Sequence, residues 1–148
     1  VVQGLLRAVG DAGTLLMPAL CWTLKPPEVF DPRQTKVIVG AVPEYFRLRN
    51  GTLRSLHPTH SVCAVGTLAE RLLADHLKDA TPCGHHSPFN QITDLDARIV
   101  MLGCGLCPNT TMHALEAIAE PNRRRLLHAI KNIDNGKNLV EVPLDMLQ

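Results

Sequence analysis

The chain alternates short apolar runs with stretches whose apolar residues recur every three or four positions, and this alternation constrains its fold more than any other feature. Val1, Val2, Leu5, Leu6 and Val9 fall on one helical face, and Gly10-Asp11-Ala12-Gly13 closes that helix. Thr14–Leu20 reads as a buried strand whose far end is weakened by Pro18. Lys25–Pro32 is a proline-broken loop, and Pro43–Arg47 is a short helix with proline in its first turn. Thr52–Leu56 and Ser61–Val65 read as strands. Thr67–Lys78 places Leu68, Leu72 and Leu73 opposite Glu70, Arg71 and Asp75, as an amphipathic helix does. Thr81–Pro88 is a loop. Arg98–Gly103 is apolar enough to predict a central strand. A helix capped by Asn109 or Thr110 follows through Met112, Leu115 and Ala119. Asn135-Gly136 predicts a turn before a strand at Leu139–Val142. Strands alternating with helices predict one α/β domain over residues 1–148, a mixed sheet flanked by helices.

Length and composition set bounds on function. A chain of 148 residues with 45% apolar and 20% charged residues can bury a core,. Its formal charge of +1 gives no electrostatic case for nucleic acid or an anionic membrane,. No apolar run nears the ~20 residues that span a bilayer. Val1–Arg7 has none of the features of a secretory leader, and the chain opens without methionine, so it is read as starting inside a longer protein. Five cysteines and no leader predict free thiols in a reducing cytoplasm,.

Two segments carry groups suited to chemistry. In Leu102–Glu116, a glycine turn leads into a helix, the setting in which α/β sheets place ligands. His113 falls in the first helical turn, with Glu116 and Glu120 spaced to share its face. An imidazole titrates near neutral pH and can take a proton from an attacking amine; the plain alternative is local packing or capping. Arg54–Gly66 offers a guanidinium, hydroxyls and two imidazoles in a loop bounded by proline and glycine, suited to phosphate or pantetheine oxygens, or simply to capping. Cys104-x-x-Cys107 has the spacing of a metal or redox pair, but no second pair recurs at a zinc-finger spacing.

Several segments in order resemble the aminoglycoside 3-N-acetyltransferase family: Phe30-Asp31-Pro32-x-x-Thr35, Pro43-Glu44-x-Phe46-Arg47, Arg54-Ser55-x-His57-Pro58-x-x-Ser61, Ala64-Val65-Gly66-x-Leu68-Ala69-Glu70, Gly84-x-x-Ser87-Pro88, and Leu102-Gly103 leading to Asn109-Thr110-x-Met112-His113-x-x-Glu116,. The resemblance implies the family's α/β fold, incomplete at both ends here. It also implies acetyl-CoA as donor with no metal, a 2-deoxystreptamine aminoglycoside as acceptor, and both bound together. His113 matches the catalytic histidine. Arg54, Ser55, His57, Ser61 and Val62 fall on the acetyl-CoA side, and Glu44, Asn109 and Glu116 are candidates for the cationic drug. Cys107 stands where many members carry an acid or amide. Another amine as acceptor, or a cysteine-based metal or redox module, are the other readings.

Overall fold

The computed structural model describes residues 1–25, 28–119, 127–134 and 139–146, with 117–119 and the last two stretches described as backbone alone. Asn135-Gly136, Glu120 and the basic Arg123–Arg125 lie outside the described residues.

Helix α1 (Val2–Val9) ends at Gly10 and hands the chain to β1 (Thr14–Pro18). β2 (Val29–Phe30) sits inside the segment read as a loop. α2 (Ala41–Arg47), β3 (Leu53–Arg54) and β4 (Val62–Gly66) follow. The single helix expected over Thr67–Lys78 divides into α3 (Ala69–Leu73) and a 3₁₀ turn at His76–Lys78. α4 (Pro88–Gln91) starts from Ser87, whose hydroxyl accepts the Phe89 amide,. Then come α5 (Thr111–Ala119), β5 (Leu127–Asp134) and β6 (Leu139–Met146). β1, β4 and β3 form one antiparallel sheet with β4 in the middle. β2 runs parallel to β5, which pairs antiparallel with β6.

β4 organises the described core because its side chains alternate between faces. Val62 and Ala64 meet Leu20, Ala69, Leu73, Cys83, Phe89 and Ala114, which brings α3, α4 and α5 to one face. Cys63 meets Val2, Met17, Ala19, Val37 and Phe46, which brings α1 and α2 to the other. The result is helices, sheet, helices, each face burying apolar area worth roughly 25 cal/mol per Å². Pro18 ends β1, yet the pairing continues: the Ala19 and Cys21 amides donate to the Ser61 and Thr59 carbonyls at 2.8 Å each.

The expected central strand at Arg98–Gly103 is corrected. Residues 98–103 are irregular, with Ile99 48%, Val100 68% and Leu102 54% exposed. A strand exists only through a ladder partner, and among the described residues none lies beside this run. The central position belongs to β4.

Candidate active site

α5 is anchored by Thr111 and by Ala114, fully buried in the core, while Met112 and His113 between them face water. Asn109 Oδ1 accepts the Thr111 amide at 3.2 Å, and the His113 amide donates to Thr110 O at 3.1 Å, so the loop closes directly into the helix,. The Cys83 thiol donates to Thr110 O at 3.6 Å and ties the helix start to the loop before α4. The His113 and Glu116 side chains are 59% and 69% exposed, and His113 Nδ1 lies 3.0 Å from Glu116 Oε2. The carboxylate fixes the proton on Nδ1 and leaves the Nε2 lone pair for an incoming proton. That is the arrangement a general base needs, one turn of helix supplying both groups.

Alternation along β3 sends Arg54 and Ser55 to opposite faces. Arg54, paired with Cys63, turns inward. Its Nε donates to Ser61 Oγ at 2.9 Å, Nη1 donates to the Pro32 and Thr35 carbonyls, and Nη2 donates to Ala19 O at 2.9 Å and Cys21 Sγ at 3.5 Å. The guanidinium also lies 5.0 Å over the Phe30 ring,. All its N–H donors therefore have internal acceptors. Ser61 Oγ–H donates to Ala19 O at 2.7 Å. Ser55 Oγ accepts the Val62 amide at 2.9 Å and lies 2.8 Å from His76 Nδ1. Arg54, Ser55, Ser61 and Val62 thus hold the 57–60 turn in place from beneath.

Within that turn His57 is fully buried and His60 is partly exposed. His57 Nδ1 accepts the His60 amide at 3.0 Å, its ring stacks 4.8 Å from His76 at 30°, and its Nε2 has no partner among the described residues. Burial holds His57 well below the usual imidazole range,. The same cause lowers His76 to about 3. Burial, then repulsion by the like charge of His113, lowers His60 to about 4,. His60 is thus the imidazole of this turn that senses His113, whereas the sequence reading singled out His57. Proline-turn geometry, not residue type, decides which imidazole faces out. His76 had a sequence signature: Ala69, Leu72, Leu73 and His76 follow the spacing of one buried helical face.

Glu44 is not brought to this site. It sits on α2, across the sheet, where its carboxylate takes Arg47 Nε at 2.8 Å, Arg47 Nη2 at 2.6 Å and the Val37 amide at 2.9 Å. Arg47, as hydrogen-bond donor, holds it at about 2. Cys104 and Cys107 are exposed thiols in the loop before α5. Among the described residues no group of three or more His, Cys, Asp and Glu is placed to hold a metal ion. No described helix is long and apolar enough to cross a membrane.

Comparison with known proteins places the chain in a family. Residues 1–144 match the aminoglycoside 3-N-acetyltransferase family. The chain is 34% identical over 122 residues to aminoglycoside N(3)-acetyltransferase IV of Salmonella sp, covering 81% of this chain and 45% of that one. It is 31% identical over 147 residues to aminoglycoside N(3)-acetyltransferase VII of Streptomyces paromomycinus, covering 86% and 50%. The chain thus spans about half the length of the curated relatives it matches. Its fold superposes on the aminoglycoside acetyltransferase AAC(3)-Xa with a TM-score of 0.86 at 29% identity, over 100% of this chain and 58% of that one. It superposes on AAC-IIIb, solved as a binary complex with CoASH, with a TM-score of 0.80 at 26% identity, over 94% and 58%. The chain belongs to the aminoglycoside 3-N-acetyltransferase family.

Proposed function

We propose that the protein transfers the acetyl group of acetyl-CoA to the 3-amino group of a 2-deoxystreptamine aminoglycoside, in the cytoplasm, and so confers resistance to the drug. The observation that carries this reading is the water-facing His113–Glu116 pair, 3.0 Å apart, in the first turns of α5.

His113 Nε2 takes the proton of the attacking amine, a contribution of ~10² to 10⁴ in rate for a positioned base. Glu116 holds the ring in that tautomer and offsets the charge it gains. Asn109 and Glu116 lie on the aminoglycoside side, where a carboxylate attracts a polycation. The Arg54–Val62 segment lies on the acetyl-CoA side. There Arg54, Ser55, Ser61 and Val62 act by fixing the turn that carries His57 and His60. Glu44, already neutralised by Arg47 across the sheet, is assigned to bracing α2.

The test is product analysis. The purified protein carrying this chain is incubated with acetyl-CoA and a panel of aminoglycosides, and the acetylated position is read by NMR. Acetylation at the 3-amino group is the expected result. Acetylation only of amines outside this drug class would move the reading to another acceptor within the same chemistry. No acetylation of any amine by folded protein would refute it.

A further inference from the structure

The 57–60 turn holds an imidazole that the proposed base does not account for. His60 Nδ1 lies 2.9 Å from Thr59 Oγ1, and that hydroxyl is 3.4 Å from His57 Nδ1. His57 Nδ1 already accepts the His60 amide at 3.0 Å and the Thr59 amide at 3.4 Å. An imidazole nitrogen that accepts backbone N–H bonds carries no proton. The Thr59 hydroxyl therefore donates along its shorter contact, to His60 Nδ1, and the His60 proton sits on Nε2. Below, His57 is held by stacking on His76, which Ser55 fixes in turn. Above, the His60 ring lies 6.0 Å from the exposed Trp22. No acceptor for His60 Nε2–H exists among the described residues. Burial and the neighbouring His113 keep the ring neutral, at about 4. A tautomer fixed through two layers, with its outer N–H unspent, is a preorganised hydrogen-bond donor.

We propose that His60 is a second catalytic residue of this site, a neutral imidazole whose Nε2–H holds the thioester carbonyl oxygen of acetyl-CoA as negative charge develops there. This rests on the acetyl-transfer reading above. The amine lone pair forms the N–C bond while the carbonyl π pair moves onto the oxygen that His60 holds. His113 takes the amine proton. The carbonyl re-forms, the C–S bond breaks with its pair on sulfur, and the thiolate takes the proton from the His113 imidazolium. His60 neither gains nor loses a proton, which is why a donor with a lowered proton affinity serves.

The experiment uses acetyl-CoA labelled with ¹³C at the carbonyl, bound to the protein carrying this chain, together with steady-state kinetics. In the unaltered protein the bound carbonyl resonance shifts downfield from the free value. The shift persists in His113→Ala and is lost in His60→Ala. His60→Ala lowers kcat by ~10² to 10³, the usual loss for one oxyanion donor, with KM little changed. His60→Gln, which keeps an N–H, recovers at least tenfold of that loss. A kcat within threefold of the unaltered protein, a loss confined to KM, or a resonance unmoved by His60→Ala would each overturn the proposal. Acetyl-CoA affinity and the unfolding temperature of each variant separate these results from misfolding. Failure of the unaltered protein to bind acetyl-CoA would instead sink the acetyl-transfer reading, and this proposal with it.

Discussion

Ser55 Oγ lies 2.8 Å from His76 Nδ1 while accepting the Val62 amide at 2.9 Å, so one buried hydroxyl joins β4 to the turn after α3. The hydroxyl donates to Nδ1, which leaves the His76 proton on Nε2, 3.4 Å from Pro82 O. Ser55→Ala strands a buried donor and a buried acceptor, at about 1–3 kcal/mol each. Urea unfolding should show a loss of about 2–6 kcal/mol with an unchanged m-value; an unchanged midpoint would show that the contact contributes nothing.

The same buried imidazoles make stability fall with acid. His76 is held at about 3 when folded, against ~6.5 in an unfolded chain. Between those values the unfolded state binds the extra proton, so stability is full above the unfolded value and is lost as pH falls. Each such group contributes a slope of up to about 1.4 kcal/mol per pH unit, and His57 is shifted in the same direction. Below the ordinary carboxylate range Glu44, at about 2, adds a further loss as it is protonated. Unfolding followed from pH 7 to 4 should steepen below pH 6, and His76→Gln should flatten it. Equal slopes in the two proteins would contradict the assignment.

Gly66 should tolerate no side chain. It ends β4 at φ +127°, and a Cβ there would sit 2.1 Å from Gly13 O and 2.6 Å from Thr14 Cα. Both obstacles are backbone, so the sheet edge must move. Gly66→Ala is expected to cost more than ~3 kcal/mol in thermal unfolding, whereas Gly51→Ala, with open space around it, should cost only ~1 kcal/mol for its positive φ.

Thiol reactivity should divide the cysteines. Cys104 and Cys107 are exposed, and Cys21, Cys63 and Cys83 are buried. Burial pushes the Cys63 thiol up to about 11 and the Cys83 thiol up to about 12, and the thiolate is the reactive form. An aromatic disulfide reagent should titrate two thiols in the folded protein and all five only in denaturant. Rapid reaction of three or more in the folded protein would contradict the burial.

What the sequence disclosed tracks local physics. β1, α2, β4 and α5 were legible because periodicity, proline and glycine act within a few residues. Within α5 the buried position was not legible: the spacing pointed to Met112 and Leu115, which are 47% and 44% exposed, while Ala114 is the residue that packs into the core. Arg98–Gly103 was misread because apolar content attracts a strand reading while pairing decides it, and no described strand lies beside it. β2 was missed because two residues, Val29 and Phe30, are paired by β5 from a hundred positions away. In the site, the His113–Glu116 pair follows from helical spacing. The inward turn of Arg54 does not: its carbonyl acceptors come from Ala19, Pro32 and Thr35, and no local pattern announces them.

In the proposed reaction His113 is the base and Glu116 its orienting acid. Single-turnover release of CoA, with acetyl-CoA and aminoglycoside both saturating, reads the contribution of each. His113→Ala should slow that release by ~10² to 10⁴, and Glu116→Gln, which keeps shape but loses charge, by a smaller factor, with acetyl-CoA affinity unchanged in both. Release at the unaltered rate from folded His113→Ala would contradict the claim.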